Sequence, residues 1–516
     1  MKQIYTTAVA LALSAGLYAQ DPIAQKYASL ITADDAKKHL SIIASDAFEG
    51  RETGKPGATM AANYIEAEFK RLGLQPPVNG SYFLNVPLVE NSFTVKALTI
   101  NGTSYAYRKQ FYANAYNTGV TADNVITATD FVYLNHKKGG DPAAELGSTD
   151  ITGKVVLLIN DGESPPNVTK RIDFIQTKKP ALILATSANV ANILKNLYGG
   201  RGMDGGGRLT IKEDGPIPVL APVYNISAEV AAQLFVNSGE TFETFQASGD
   251  ADGSQPNTVL KGQISTTIST ISNEAKAVDV LGYMPGTDLK DEVLVFSAHY
   301  DHIGLTTSGT DKVNNGADDD GSGTTGILEI ARAFAEAKKE GHGPRRSILF
   351  LGNVGEEKGL LGSKYYTDHP VFPLEKTITD LNIDMIGRVG YEYIGKPDSA
   401  NYVYVIGSGM LSTDLRKANE LANKTYTKLD LDYKYDDPND KNRFYYRSDH
   451  YNFAKHGVPI IFYFNGTHDD YHQPGDEVSK INFPVLAKRA QLVFYTGWDL
   501  ANRDKRPLVD GNTGKQ

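Results

Sequence analysis

Val293–Gly304 reads VLVFSAHYDHIG, an apolar run that ends in His299, Tyr300 and Asp301. An uninterrupted run of this kind, about four to eight residues long, is how a strand buried on both faces is written. Polar residues placed directly after it stand where an open α/β sheet presents its ligands. Asn314–Gly326, NNGADDDGSGTTG, follows, with Asp318, Asp319 and Asp320 crowded before a Gly-Ser-Gly turn. Ser347–Ser363, SILFLGNVGEEKGLLGS, repeats the pattern: Ile348–Leu351 is apolar, and Glu356 and Glu357 come soon after. Acids gathered beyond buried strands are costly unless a cation stands among them, so the pattern points to a metal centre.

Outward from that stretch, strands and helices alternate from 266 to 503. The strands expected are Val293–Ala298, Ile348–Leu351, Thr379–Met385, Val403–Ile406 and Pro459–Phe464. Alternation of this kind predicts the α/β class, a mixed, mostly parallel sheet with helices on both faces. Upstream, residues 20–91 form the N-terminal part of the same domain. There Thr32 caps a helix with Ala36, Leu40 and Ile43 on one face, and Ala61, Ile65 and Phe69 repeat the spacing before Gly73. Between these parts, residues 92–265 change texture to short strands, Gly/Asn/Asp turns and one α/β unit, which predicts a separate β-rich insertion. Residues 504–516 show no packing face and are expected to be a flexible tail.

At 516 residues the chain is long enough for about two to four domains. Its 41% hydrophobic and 22% charged content is that of a globular protein. A net charge of −9 lacks the basic face that nucleic acid requires. The first residues, MKQIYTTAVALALSAGLYAQDP, have the basic start, apolar centre and small residues of a signal peptide, with cleavage expected near Ala19 and export to the periplasm or beyond. Elsewhere no apolar run reaches about 18 residues, so no membrane span is expected. The chain has no cysteine, which rules out a thiol nucleophile and a thiolate metal site; cores of this size fold without disulfides.

Two further stretches complete the pattern. Thr379–Arg388, TDLNIDMIGR, puts Asp384 at the end of a strand, and Asp469–Glu477, DDYHQPGDE, puts His472 in a polar turn after another. The candidate ligands are therefore His299, Asp319, Glu357, Asp384 and His472, with Glu356 left over. Imidazole and carboxylate together form a borderline-hard donor set suited to zinc, and one carboxylate shared by two ions accounts for five donors, not three. Taken singly each piece is bland: a lone His-x-Asp is mostly a structural pair, and an Asp triplet or Glu pair mostly a solvated turn. The conjunction carries the reading.

Other signals are weaker. Gly200, Gly202 and Gly205 have the dinucleotide spacing but follow a helix and precede a strand, the reverse of the required order. The acidic run 429–442 lacks fixed calcium-ligand spacing and reads as a solvated loop. No Gly-x-Ser-x-Gly elbow and no His-Glu-x-x-His occurs.

The chain resembles, from about Thr32 to Asn502, the di-zinc aminopeptidase family that includes secreted bacterial leucyl aminopeptidases and glutamate carboxypeptidase. The resemblance lies in AHYDHIG, GADDDGSG, GEEKGLLGS, NIDMIG and YHQPGDE, and less strongly in ASDAFEGRETGKPG at 44–57. It implies the zinc-exopeptidase fold and two zinc ions per chain. One ion falls to His299 and Asp384, the other to Glu357 and His472, with Asp319 bridging. It further implies that Asp301 orients the His299 ring, that Glu356 is the general base, that Tyr471 polarises the substrate carbonyl and that Arg447, in FYYRSDHYNF, contacts substrate. The middle block resembles a protease-associated domain through FVYLN and DITGKVVLLINDG. The activity implied is removal of N-terminal residues from peptides, by a water held between the two ions. Three alternatives stay open: a carboxypeptidase or dipeptidase of the glutamate carboxypeptidase type, a single-zinc glutaminyl-cyclase-like acyltransferase, and a non-catalytic receptor-like ectodomain. The oligomeric state is unspecified.

Overall fold

The run beginning at Val293 extends at its start into a strand, Leu289–His299, whose residues from Val293 onward are all buried. Around it lies a sheet of β1 (Phe83–Asn85), β2 (Val278–Met284), β3 (Leu289–His299), β4 (Arg346–Asn353), β5 (Thr377–Ile383), β6 (Tyr402–Ile406), β7 (Asp430–Asp432) and β8 (Ile460–Phe464). The order across the sheet is β1-β2-β4-β3-β5-β8-β6-β7. The centre, β4-β3-β5-β8, is parallel, β6 and β7 are parallel to each other, and the remaining neighbours are antiparallel. The sheet is thus mixed and mostly parallel. The structure, a computed structural model, describes residues 20–114, 123–135, 137–198, 207–212, 220–250 and 255–511.

A parallel sheet needs both faces covered, and alternate residues of the central strands supply the two faces. On one face Phe296 and Phe350 stack with centroids 5.4 Å apart. On this face of the sheet pack α3 (Pro56–Arg71), α4 (Gly321–Lys339) and, at the end of the chain, Phe483–Asn502, while α1 (Pro22–Ala28) and α2 (Ala33–Ile43) pack in turn on α4 and the terminal helix. Phe334 of α4 lies 5.8 Å from Phe296 and 5.6 Å from Trp498 of the terminal helix. On the other face Val293, Val295, Leu349 and Leu351 meet Tyr366 of α5 (Leu361–Asp368) and Phe453 of the short helix His450–Lys455. Each such buried side chain stabilises by about 1.5–3 kcal/mol. Local signals set the helix starts: Thr32 Oγ1 accepts from Asp35 N at 3.1 Å to cap α2, and Asp320 Oδ1 accepts from Gly323 N at 2.8 Å to cap α4.

The chain divides into two compact units, Met1–Val86 with Lys276–Gln516, and Pro87–Ala275. The boundaries expected at 92 and 265 fall within two long strands, Leu88–Ile100 and Thr258–Ala275, which pair antiparallel from Leu88↔Ala275 to Ile100↔Ile264. The second unit holds a nine-stranded sheet among the described residues. Its α/β portion consists of the parallel neighbours Asp123–Leu134, Val155–Ile159, Leu182–Thr186 and Val223–Ile226.

The expectation of a flexible tail from 504 is corrected as far as residue 511. Arg506 Nη1 and Nη2 donate to Glu375 O and Thr377 O at 2.9 and 3.1 Å, and Asp510 Oδ1 accepts from Thr413 N at 2.9 Å. Anchors made of hydrogen bonds leave no apolar period to read. The signal segment 1–19, the last residues 512–516 and Gly200, Gly202 and Gly205 lie outside the described residues. Among the described residues no helix is long and apolar enough to cross a membrane.

Candidate metal centre

The carboxyl ends of the central strands deliver the site. β3 ends on His299, Glu356 and Glu357 follow β4, Asp384 follows β5, and His472 comes from the turn after β8. Asp319 stands in the turn that starts α4. All five candidate ligands converge. Asp319 Oδ1 lies 3.3 Å from His299 Nε2, and its other oxygen, Oδ2, lies 3.1 Å from His472 Nε2. Asp384 Oδ2 is 3.7 Å from His299 Nε2, and Glu357 Oε2 is 3.1 Å from His472 Nε2. Asp319 thus faces one imidazole–carboxylate pair with each oxygen.

The rest of the triplet is occupied elsewhere. Asp318 accepts from Gly387 N at 2.6 Å and from Asn465 Nδ2 at 3.0 Å, and lies 3.1 Å from His468 Nε2. Asp320 caps α4 and accepts from Met385 N at 3.0 Å. Asp476 Oδ2 accepts from the backbone N–H groups of Asp318 and Asp319, both at 3.0 Å, which fixes the turn.

Asp301 sits beside His299, but the ring's Nδ1 is nearest the backbone carbonyl of Asp301, at 3.0 Å, with the carboxylate 3.7 Å away. The carbonyl selects the Nδ1–H tautomer and turns Nε2 toward Asp319. The carboxylate accepts instead from Glu356 N at 3.1 Å and Thr53 Oγ1 at 2.6 Å.

Glu356, Asp319, Asp384, Arg447 and Tyr471 line one cleft, together with Phe444 and Phe464. Glu356 Oε2 is 3.9 Å from His299 Nε2. Burial pushes its carboxyl well above the ordinary range; His299 opposes this and the Glu357 and Asp384 charges add to it. Burial would raise Asp319 too, yet His299 and His472 hold it below its usual range. Tyr471 stacks on His472, centroids 3.9 Å apart, and its Oη accepts from Arg447 Nη2 at 3.2 Å. Burial, with the Asp319 and Glu357 carboxylates nearby, raises this phenol and keeps it protonated.

Two residues escaped the sequence reading. His302 is fully buried, and its Nδ1 lies 2.9 Å from Glu357 Oε1 and 3.8 Å from Asp319 Oδ2. The available signal was a second imidazole in the turn that carries His299. Ser448 donates to Asp384 Oδ2 at 2.6 Å and accepts from Asn382 Nδ2 at 3.0 Å, which fixes that carboxylate; nothing local in sequence marks it out.

Among the described residues, two groups of acids and histidines are close enough to hold an ion: His299, Asp319 and Asp384, and His302, Asp319 and Glu357. None lies in the acidic run 429–442, where Asp436 accepts from Gly407 N at 2.7 Å and Asp440 from Phe444 N at 3.1 Å. His299 Nε2 and Asp319 Oδ2 are buried without a hydrogen-bond partner, which folded proteins seldom tolerate. A cation beside each of these atoms satisfies it, and nitrogen with carboxylate oxygen fits zinc. A larger cavity, about 1040 Å³, lies in the Pro87–Ala275 unit beside Val125, Asp173 and Pro222, and holds no such group.

Residues 279–497 match the model of Peptidase family M28. Leupeptin-inactivating enzyme 1 of Streptomyces exfoliatus is 26% identical over 314 residues, covering 55% of this chain and 63% of that protein. Aminopeptidase YwaD of Bacillus subtilis is 25% identical over 242 residues, covering 44% and 46%. The chain thus spans 63% and 46% of the length of these two relatives, less than two thirds of either. Among solved structures, an aminopeptidase from Aneurinibacillus sp. strain AM-1 superposes with TM-score 0.57 at 17% identity, over 94% of this chain and 98% of that one. That likeness establishes the fold.

Proposed function

Because residues 279–497 match the model of Peptidase family M28, we propose that this chain is an exported, zinc-dependent exopeptidase that removes N-terminal residues from peptides. The observation that carries the reading is Asp319, whose two oxygens each face a different histidine, at 3.3 and 3.1 Å. Two of the similar proteins are described as zinc enzymes, a probable zinc metalloprotease of Pyrenophora tritici-repentis and a zinc aminopeptidase of Bacillus subtilis. Here His299 and Asp384 would hold one zinc, Glu357 and His472 a second, and Asp319 both. Zinc so held supplies Lewis acidity, polarising a carbonyl and making water acidic near neutral pH.

The chain's own residues do the rest. Glu356 takes the proton of the attacking water as its oxygen bonds to the scissile carbonyl carbon. It then gives that proton to the amine nitrogen as the C–N bond breaks. Tyr471 donates its O–H to the carbonyl oxygen as charge develops there, steadied by Arg447. Asp301 holds the Glu356 backbone in place, and Phe444 and Phe464 exclude water from the cleft.

Arg447 also favours a second reading. A guanidinium in the same cleft suits a substrate carboxylate, as a carboxypeptidase or dipeptidase requires. Aminoacyl-nitroanilides and N-blocked dipeptides, offered separately with and without chelator, decide the matter. Chelator-sensitive cleavage of the free-amine substrates alone supports the aminopeptidase; cleavage of the blocked dipeptides alone replaces it with the second reading. Two subsidiary proposals follow the sequence: residues 1–19 are a signal peptide, tested by N-terminal sequencing of exported protein, and Pro87–Ala275 is a protease-associated domain, tested by whether its deletion changes peptide-length preference.

A further inference from the structure

Arg51 is wholly buried, with 0% of its surface exposed. A guanidinium withdrawn from water is tolerated only when its N–H groups are matched, and here every acceptor is a backbone carbonyl. Nε donates to Tyr300 O at 2.7 Å, and Nη1 donates to Asn315 O at 2.6 Å and Ile43 O at 3.0 Å. Nη2 donates to Gly316 O at 2.9 Å and, more weakly, to Asp319 O at 3.5 Å. Tyr300 directly follows the ligand candidate His299, and Asn315, Gly316 and Asp319 form the turn that carries the bridging candidate. One side chain therefore ties together two loops that are close in space only because the chain is folded.

The backbone beneath it is held in an uncommon shape. Glu49, Gly50 and Arg51 have φ of 49°, 63° and 50°, so two non-glycine residues sit in the left-handed region. Such conformations persist where the surroundings over-determine them, and they gather at functional sites. Here Arg51 O accepts from His302 N at 3.1 Å, Gly50 O from Gly304 N at 3.0 Å, and Gly304 O from Asn314 N at 3.0 Å. A Cβ at Gly50 would stand 2.6 Å from Gly304 O. The carboxylates of Asp319, Asp320, Asp476 and Asp301 favour the charge on Arg51 against the cost of its burial.

We propose that Arg51 is a positioning residue of the metal centre: its planar fork of donors sets the spacing between the loop bearing His299 and the turn bearing Asp319. This rests on the metal-centre reading above. Lysine keeps the charge but has a single ammonium and no fork, so Arg51→Lys isolates geometry from charge.

The test is zinc release from full-length protein into excess chromogenic chelator, with melting temperatures of the zinc-loaded and metal-free forms. Arg51→Lys is expected to release zinc at least about tenfold faster than wild type, in the range that supporting contacts to metal ligands command, and to narrow the gap between loaded and metal-free melting temperatures. Release at the wild-type rate, with both melting temperatures lowered equally, would show a merely structural arginine and overturn the proposal. Should the variant not fold, hydrogen exchange on the wild type decides: zinc removal is expected to raise exchange in 44–57 together with 299–320, and unchanged exchange in 44–57 overturns the proposal. A wild type that binds no zinc overturns the metal reading along with it, a distinguishable result.

Discussion

His302 Nδ1 lies 2.9 Å from Glu357 Oε1, while His472 Nε2 approaches the opposite oxygen of the same carboxylate at 3.1 Å. Glu357 is thus gripped from both sides, by one imidazole that is fully buried and one that is part-exposed. With His472 as the proposed ligand, the chemistry left to His302 is donation to Glu357, which would leave the other Glu357 oxygen for the metal. His302→Gln is expected to weaken zinc retention about 10- to 100-fold, read by dialysis against graded chelator. Unaltered retention would leave His302 without a part in the centre.

Replacing Glu356 by Gln removes the proposed proton acceptor and leaves the five ligand candidates intact. Turnover is expected to fall by about 10²–10⁴ with metal content unchanged, measured by aminoacyl-nitroanilide cleavage beside elemental analysis. Near-normal turnover in the loaded variant would take the base role away from this residue.

Tyr471→Phe keeps the ring stacked on His472 and deletes only the hydroxyl that accepts from Arg447. The expected loss in kcat is about 10²-fold, the usual effect of removing one oxyanion donor, with KM little changed. A change confined to KM would assign Tyr471 to binding.

His450 supplies a pH prediction away from the ligands. Burial lowers its pKa to about 3; the ring stacks on Phe462 at 4.7 Å and Nε2 pairs with Tyr445 O at 2.8 Å. Between its unfolded value, about 6.5, and about 3, the unfolded chain binds a proton that the folded chain refuses, so stability falls as pH falls through that window. From pH 7 to 5 the His450 share is about 2 kcal/mol. Urea titrations at both pH values should show His450→Gln losing less stability on acidification than wild type by roughly that amount. An identical loss would mean the ring is protonated in the folded state.

The parts of this fold that are legible in sequence are those where burial dictates residue type. β8 is apolar throughout, and β3 and β4 carry apolar runs at Val293–Phe296 and Ile348–Leu351, because both faces are covered there; the polar residues past these runs stand out by contrast. That contrast located His299 and Glu357. It did not separate Asp319 from Asp318 and Asp320, since the three differ only in which N–H groups and histidines they meet in space. Arg51 was hidden for a related reason: its partners are backbone carbonyls, which have no residue identity. The boundaries expected at 92 and 265 differ from the unit edges at 87 and 275 because strand alternation runs through 92 and 265 without a turn.

The most direct measurement is an anomalous difference map at the zinc absorption edge from a crystal of the zinc-loaded protein. The expected result is two peaks about 3.5–4 Å apart, one between His299 and Asp384, one between Glu357 and His472, with Asp319 touching both. A single peak, or none among these side chains, would contradict it.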